Sequence, residues 1–227
     1  MTKEVKMVLG VVAVVVLFAG IGFFLLKQQN AALPQVSSDK SEALTRSTPN
    51  ARGKADSNIK VIEFGDIQCP ACAAVNPLMD ELYKQYGDRV SFTFRHFPLP
   101  MHKNAYAGAD AAEAAGEQGK FYEMVTKIYE TQPIWAETSD PAPTFQKLAE
   151  ELSLNIEQFN KSYAGKTNRK RIDQDKADGQ YLEVNSTPTF YVNGEQIMSG
   201  GPAQVKTKIE ELLKADSGQT PPATPSN

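Results

Sequence analysis

Hydrophobic positions along the chain change period several times, and each change marks an element. Ile59 to Phe64 is a β-branched and aromatic run that predicts a buried strand. From Ala71 to Tyr86, Val75, Leu78, Met79, Leu82 and Tyr83 recur at helical spacing, and Gly87-Asp88 closes the helix. Val90, Phe92, Phe94 and His96 then alternate with Ser91, Thr93 and Arg95, which predicts a second strand over Val90–Phe97, ended by Pro98-Leu99-Pro100. The period stays helical from Asn104 to Leu182. Asn104–Gly116 is alanine-rich, with Ala105, Ala109, Ala112 and Ala115 in register. Phe121, Met124, Val125, Ile128 and Tyr129 form one amphipathic stripe, and Phe145, Leu148, Ala149 and Leu152 form another. Ile156 with Phe159 begins a shorter one, and Lys166–Leu182 is a charged helix. These stripes read as core packing, and Trp135, between Pro133 and Pro141, reads as the anchor of a loop among them. Val184–Val192 returns to strand, Gly194 turns a hairpin into Gln196-Ile197-Met198, and Pro202 opens a last helix burying Val205, Ile209, Leu212 and Leu213.

The two ends of the chain follow other patterns. Val8 to Leu26 is nineteen residues without a charge or a proline. At about 1.5 Å per residue that run approaches the ~30 Å hydrocarbon core of a bilayer. A cleaved signal peptide has a shorter apolar region and a small-x-small site, which Lys27-Gln28-Gln29-Asn30-Ala31-Ala32 supplies poorly, so residues 1–26 are expected to be a retained anchor. Lys3 and Lys6 flank one side of it and Lys27, Lys40 and Arg46 the other, so the positive-inside count leaves orientation open. Residues 27–57, rich in Ser, Gln, Asn and Ala, read as a flexible tether, and residues 216–227 as a polar tail.

Composition narrows the classes. The chain has 227 residues and a net charge of −3, with no basic groove of interleaved aromatics, so nothing suggests nucleic acid as a partner. Two cysteines in this length exclude a disulfide-stapled miniature fold. Both sit at the first strand-to-helix junction, in Cys69-Pro70-Ala71-Cys72. With Pro70 in the first helical position, which its locked φ suits, Cys69 becomes the N-cap. Its sulfur then faces the amides of Ala71 and Cys72 and the positive end of the helix dipole, which favour a thiolate. Cys72, one turn in, is placed to close a small ring with it and is the less exposed partner. A thiolate with a resolving thiol three residues away is the apparatus of thiol–disulfide exchange. Glu63 stands in an otherwise apolar strand, where burial raises a carboxyl pKa toward the range of a neutral-pH base; a solvated strand-face glutamate is the plain alternative. Asp66 reads as a turn residue. Cys69 and Cys72 with His96 and His102 keep a Cys₂His₂ metal site open as a different class, although the His-x₅-His spacing lies outside the usual range.

The stretch Glu63-Phe64-Gly65-Asp66-Ile67-Gln68-Cys69-Pro70-Ala71-Cys72, with Ser186 to Val192 further on, resembles the DsbA-like branch of the thioredoxin superfamily over about residues 58–214. That resemblance implies an α/β thioredoxin fold (58–101 and 184–215) with an inserted all-helical domain (102–183), here preceded by one N-terminal transmembrane helix. It implies a thiol–disulfide oxidoreductase working through Cys69 and Cys72, with Pro70 and Ala71 as the active-site turn. Thr187-Pro188 is implied to be a cis bond lying against Cys69 and offering the Thr187 backbone to an extended client. Glu63 is implied to take the proton of Cys72. No cofactor and no metal are implied. The expected partners are reduced or unfolded exported proteins and a membrane-bound, quinone-linked reoxidant, and the expected chain is a monomer. The catalytic domain is expected outside the cytoplasm because a lasting dithiol oxidant belongs in an oxidising compartment. Many strongly oxidising relatives carry histidine where this chain has Ala71, so the resemblance leaves isomerase and reductase roles open. Asn160 and Asn185 begin Asn-x-Ser/Thr triplets that read as chance.

Overall fold

The structure is a computed structural model that describes residues 40–198 and 201–216. The expected anchor (1–26), the tether before residue 40 and the tail beyond Asp216 lie outside the described residues. Among the described residues no helix is long and apolar enough to cross a membrane.

The elements run α1 (Lys40–Thr45), β1 (Ala51–Gly53), β2 (Lys60–Gly65), α2 (Pro70–Tyr86) and β3 (Ser91–His96). Six helices follow: α3 (Ala105–Gly116), α4 (Phe121–Glu130), α5 (Gln132–Trp135), α6 (Ala142–Glu151), α7 (Ile156–Gly165) and α8 (Arg169–Tyr181). The chain then closes with β4 (Thr189–Val192), β5 (Glu195–Ile197) and α9 (Gly201–Asp216). The five strands form one sheet in the order β1-β3-β2-β4-β5. β2 is parallel to β3, with Glu63 opposite Phe94, and antiparallel to β4, with Glu63 opposite Phe190. The central strand is therefore paired on both sides, which suits its apolar run.

Alternation along the strands feeds two faces. Val61, Phe92, Phe190 and Val192 pack against Met79 and Leu82 of α2 and Val205 and Ile209 of α9. Ile62, Phe64 and Tyr191 face the other way, onto Phe97, Leu182, Val184 and the α1 residues Ala43 and Leu44. The inserted helices bury their alanine and aromatic stripes in a third cluster, which also takes in Ile67, Phe94 and both cysteines. Small side chains on α3 permit close approach: a methyl group added at Gly108 would stand 2.6 Å from Ile67 of the active-site turn. Trp135 is fully buried, and its indole N–H donates to the Ile128 carbonyl at 2.8 Å.

Two expectations, the tether and the start of the last central strand, are corrected, and the charged helix is present as α8 with a feature its sequence did not reveal. Residues 40–57, read as tether, are folded: α1 packs in the core, β1 extends the sheet, and Asn50 Nδ2 donates to Glu113 Oε1 at 2.6 Å. The composition misled because these polar residues are used internally. The charged helix α8 turns acids inward, with Asp175 and Asp178 fully buried. Arg46 reaches both, at 2.6 and 2.7 Å, and Arg95 of β3 pairs with both as well. The strand expected from Val184 begins only at Thr189. Glu183 before it has φ +63°, a left-handed turn out of α8.

Candidate active site

β2 runs into a turn over 66–68 and α2 begins at Pro70, so Cys69 is the N-cap, with extended backbone (φ −73°, ψ 123°). Pro70 fills the first turn, where an absent N–H costs nothing. Both cysteines are thiols; Cys69 keeps 7% of its surface exposed and Cys72 none. Pro70 and Ala71 between them are exposed.

The two sulfurs differ in character. The Cys72 thiol donates to the Cys69 sulfur, and this bond is the largest influence drawing the Cys69 thiol down from 9.0 to about 5. Burial opposes the shift, while Thr187 and the amides of Cys72 and Ala71 add to it. The helix N-terminus thus contributes as its position dictates, but the sulfur makes no capping hydrogen bond of ordinary geometry, and the resolving thiol comes first. Burial pushes Cys72 well above 9.0, and its bond to Cys69 and the charge of Glu63 push it further.

Across from α2, the Thr187–Pro188 peptide bond is cis. The Cys69 thiol donates to the Thr187 carbonyl at 3.5 Å. Among the described residues the buried Thr187 hydroxyl has no partner of ordinary geometry, so it is available to donate to a Cys69 thiolate.

Glu63 is buried, 9% exposed, on the face of β2 that α2 covers. Burial raises its carboxyl to about 8, against the opposing pull of Arg52 and with a further push from Asp80. Gly65 makes room for it: a Cβ there would meet the Phe94 ring at 2.5 Å and Glu63 Oε1 at 3.3 Å. The carboxyl is close enough to Cys72 for its charge to act on that thiol.

Sequence reading missed several residues that hold this geometry. Asp66 is a hub rather than a simple turn residue. Its Oδ1 accepts the Gln68 N–H at 2.7 Å, and its Oδ2 accepts the Leu99 N–H at 2.8 Å and meets His102 Nδ1 at 2.7 Å. Its carbonyl accepts the Cys69 N–H at 3.0 Å and the Tyr129 hydroxyl at 3.2 Å. Gln68 Oε1 accepts the Asn104 N–H at 2.6 Å, and its Nε2 donates to the Ala136 carbonyl at 2.8 Å. The active-site turn is thereby fastened to two loops of the helical insert. Only the Asp-x-x-Cys spacing hinted at this, because such a carboxylate readily accepts amides two residues on. The histidines do not converge with the cysteines: His96 Nε2 lies 3.0 Å from Glu113 Oε1, and His102 is engaged by Asp66. Among the described residues no group of His, Cys, Asp and Glu is arranged to hold a metal ion.

Residues 45–211 match the family model described as Thioredoxin. The chain is 36% identical over 149 residues to the Na(+)/H(+) antiporter NhaA 1 of Mycobacterium sp. (strain KMS), covering 64% of this chain and 23% of that protein. It therefore spans about a quarter of the length of the curated antiporters it matches. It is 31% identical over 182 residues to the probable disulfide bond formation protein D of Bacillus cereus, covering 77% of this chain and 83% of that one. The solved structure of oxidised BdbD from Bacillus subtilis superposes with a TM-score of 0.64 at 26% identity, over 73% of this chain and 92% of that one. The family match runs from the end of α1 into α9 and takes in both halves of the site, so the chain belongs to the thioredoxin superfamily, in its DsbA-like family of thiol:disulfide oxidoreductases.

Proposed function

We propose that this domain introduces disulfides into reduced exported proteins, from the outer side of the membrane. The observation that carries this reading is the contrast between the sulfurs: Cys69 is drawn down to about 5 while Cys72 is pushed well above 9.0. A client thiolate attacks Cys69 of the oxidised site, the Cys69–Cys72 bond breaks, and Cys72 leaves as a thiolate. Glu63, raised to about 8 and thus largely protonated at neutral pH, supplies the proton that keeps Cys72 from attacking back. The second client thiolate then attacks the client sulfur of the mixed disulfide, and Cys69 departs as the stable thiolate. Two electrons now rest on the Cys69–Cys72 pair, and a membrane-bound, quinone-linked protein removes them. Thr187 and Pro188, beside Cys69, are the ledge on which an extended client segment lies. Membrane attachment is supported by the uncharged run Val8–Leu26, and an outward-facing domain by the need for an oxidising compartment.

The test is the equilibrium potential of the couple against glutathione, measured on the full chain. A value above about −180 mV is expected of an oxidase, and one near −270 mV would make the protein a reductase. On intact cells first treated with an impermeant reductant, which opens the Cys69–Cys72 bond, an impermeant thiol reagent should label Cys69, and absence of labelling would refute the outward location.

A further inference from the structure

Arg52 belongs to β1, a strand in a stretch whose composition reads as linker, yet its side chain reaches the neighbourhood of the buried acid. Its guanidinium lies between the rings of Tyr83 and Tyr122, 4.2 and 3.8 Å from their centroids. Its Nη2 donates to Asp80 Oδ1 at 2.6 Å. Asp80 is held in turn by Thr126, whose hydroxyl donates to Oδ2 at 3.3 Å. Arg52 and Tyr122 line two spaces at once. One is a groove of about 460 Å³ with Asp80, Tyr83 and Lys84. The other is a space of about 20 Å³, room for a single water, with Glu63 and Thr93. The guanidinium therefore borders both the groove and the space beside the acid. Two aromatic faces and an ion pair fix it there, and side chains so fixed act on a buried neighbour with little screening.

We propose that the Arg52–Asp80 ion pair, clamped between Tyr83 and Tyr122, is the positioning element that sets how readily Glu63 takes up and releases the proton of Cys72. This rests on the proton role given to Glu63 above and adds the residues that tune it. The charged and titratable groups facing Glu63 are Cys72 and Asp80 of α2, Arg52 of β1, and Tyr122 and Tyr129 of α4. Arg52 is the cation of that set, and Asp80 tempers it. The two members of the pair therefore act on Glu63 in opposite senses. The step balances simply: the proton moves between the Cys72 sulfur and a Glu63 carboxyl oxygen, with no change of redox state.

The test uses reduced full-length protein and its Arg52→Met, Arg52→Lys and Asp80→Asn variants, with Glu63→Gln to assign the signal. The Glu63 carboxyl is titrated by carbon-13 NMR, and the rate of oxidation by oxidised glutathione is followed over the same pH range. Arg52→Met should raise the Glu63 midpoint by about one pH unit and Asp80→Asn should lower it, while Arg52→Lys stays near wild type. The kinetic midpoint should move with it. Unchanged midpoints, or shifts of the same sign in both variants, would overturn the proposal. If Glu63→Gln leaves the kinetic profile intact, the proton role of Glu63 itself fails, and the NMR titrations still decide whether the pair tunes the acid.

Discussion

Removing the thiol of Cys72 tests the origin of the reactive sulfur. The Cys69 thiol moves from 9.0 to about 5, and the Cys72 donor is its largest cause. A displacement of that size separates thiolate from thiol by about 5 kcal/mol. Because the folded value is depressed, the stabilisation of the reduced fold is complete above pH 9, shrinks as pH falls, and is gone below pH 5. At neutral pH about half of it is realised, roughly 3 kcal/mol, which raises the reduction potential by about 60 mV over a pair with an ordinary thiol. Cys72→Ala removes one donor and leaves Thr187 and the two amides. The Cys69 midpoint should therefore rise by about 1–2 pH units and stop short of 9.0. Cys72→Ser, which keeps a hydroxyl donor, should remain closer to wild type. The assay is the pH dependence of Cys69 alkylation, supported by ultraviolet thiolate absorbance of the same samples. A wild-type midpoint of 8 to 9 would refute the reasoning. So would a Cys72→Ala variant indistinguishable from wild type, since the leading donor would then be inert.

Two further outcomes follow from the surroundings of the site. Asp175→Ala strips a carboxylate from Arg46 Nη2, Arg95 Nε and the His96 N–H, and leaves a fully buried guanidinium short of charge. It should cost about 3–5 kcal/mol in denaturant unfolding, and a loss below about 1 kcal/mol would mean the cluster is not what fastens α8 to the sheet. Gln68→Ala leaves the Asn104 N–H without its acceptor and takes from the Ala136 carbonyl one of its two donors, the other being Asn104 Nδ2. A cost of about 1–3 kcal/mol is expected, with faster amide exchange at Asn104, and unchanged exchange there would count against the fastening of the turn to the insert.

Strand and helix periods, the Pro70 start of α2 and the N-cap place of Cys69 were legible in the sequence because each depends on residues a few positions apart. The cis bond at Thr187–Pro188, expected from family resemblance, is present, and the order of exposure of the two cysteines is as the local geometry predicts. Asp66, read as a turn residue, showed its wider role only once Leu99 and His102 were seen to meet it. Arg46 and Arg52 lay in a stretch whose polarity resembled a linker, because composition does not reveal that a charge will be answered by another far along the chain. Arg46 meets Asp178 across 132 positions, and Arg52 meets Asp80 across 28.

By itself the sequence determined where the reactive sulfur sits and what class of chemistry it serves, since capping and periodicity are short-range. Only the tertiary structure decided how strongly that sulfur ionises, that Glu63 is buried with a raised pKa, and which cation stands beside it. Those quantities depend on burial and on charges brought together by folding, and neither is a property of any local stretch.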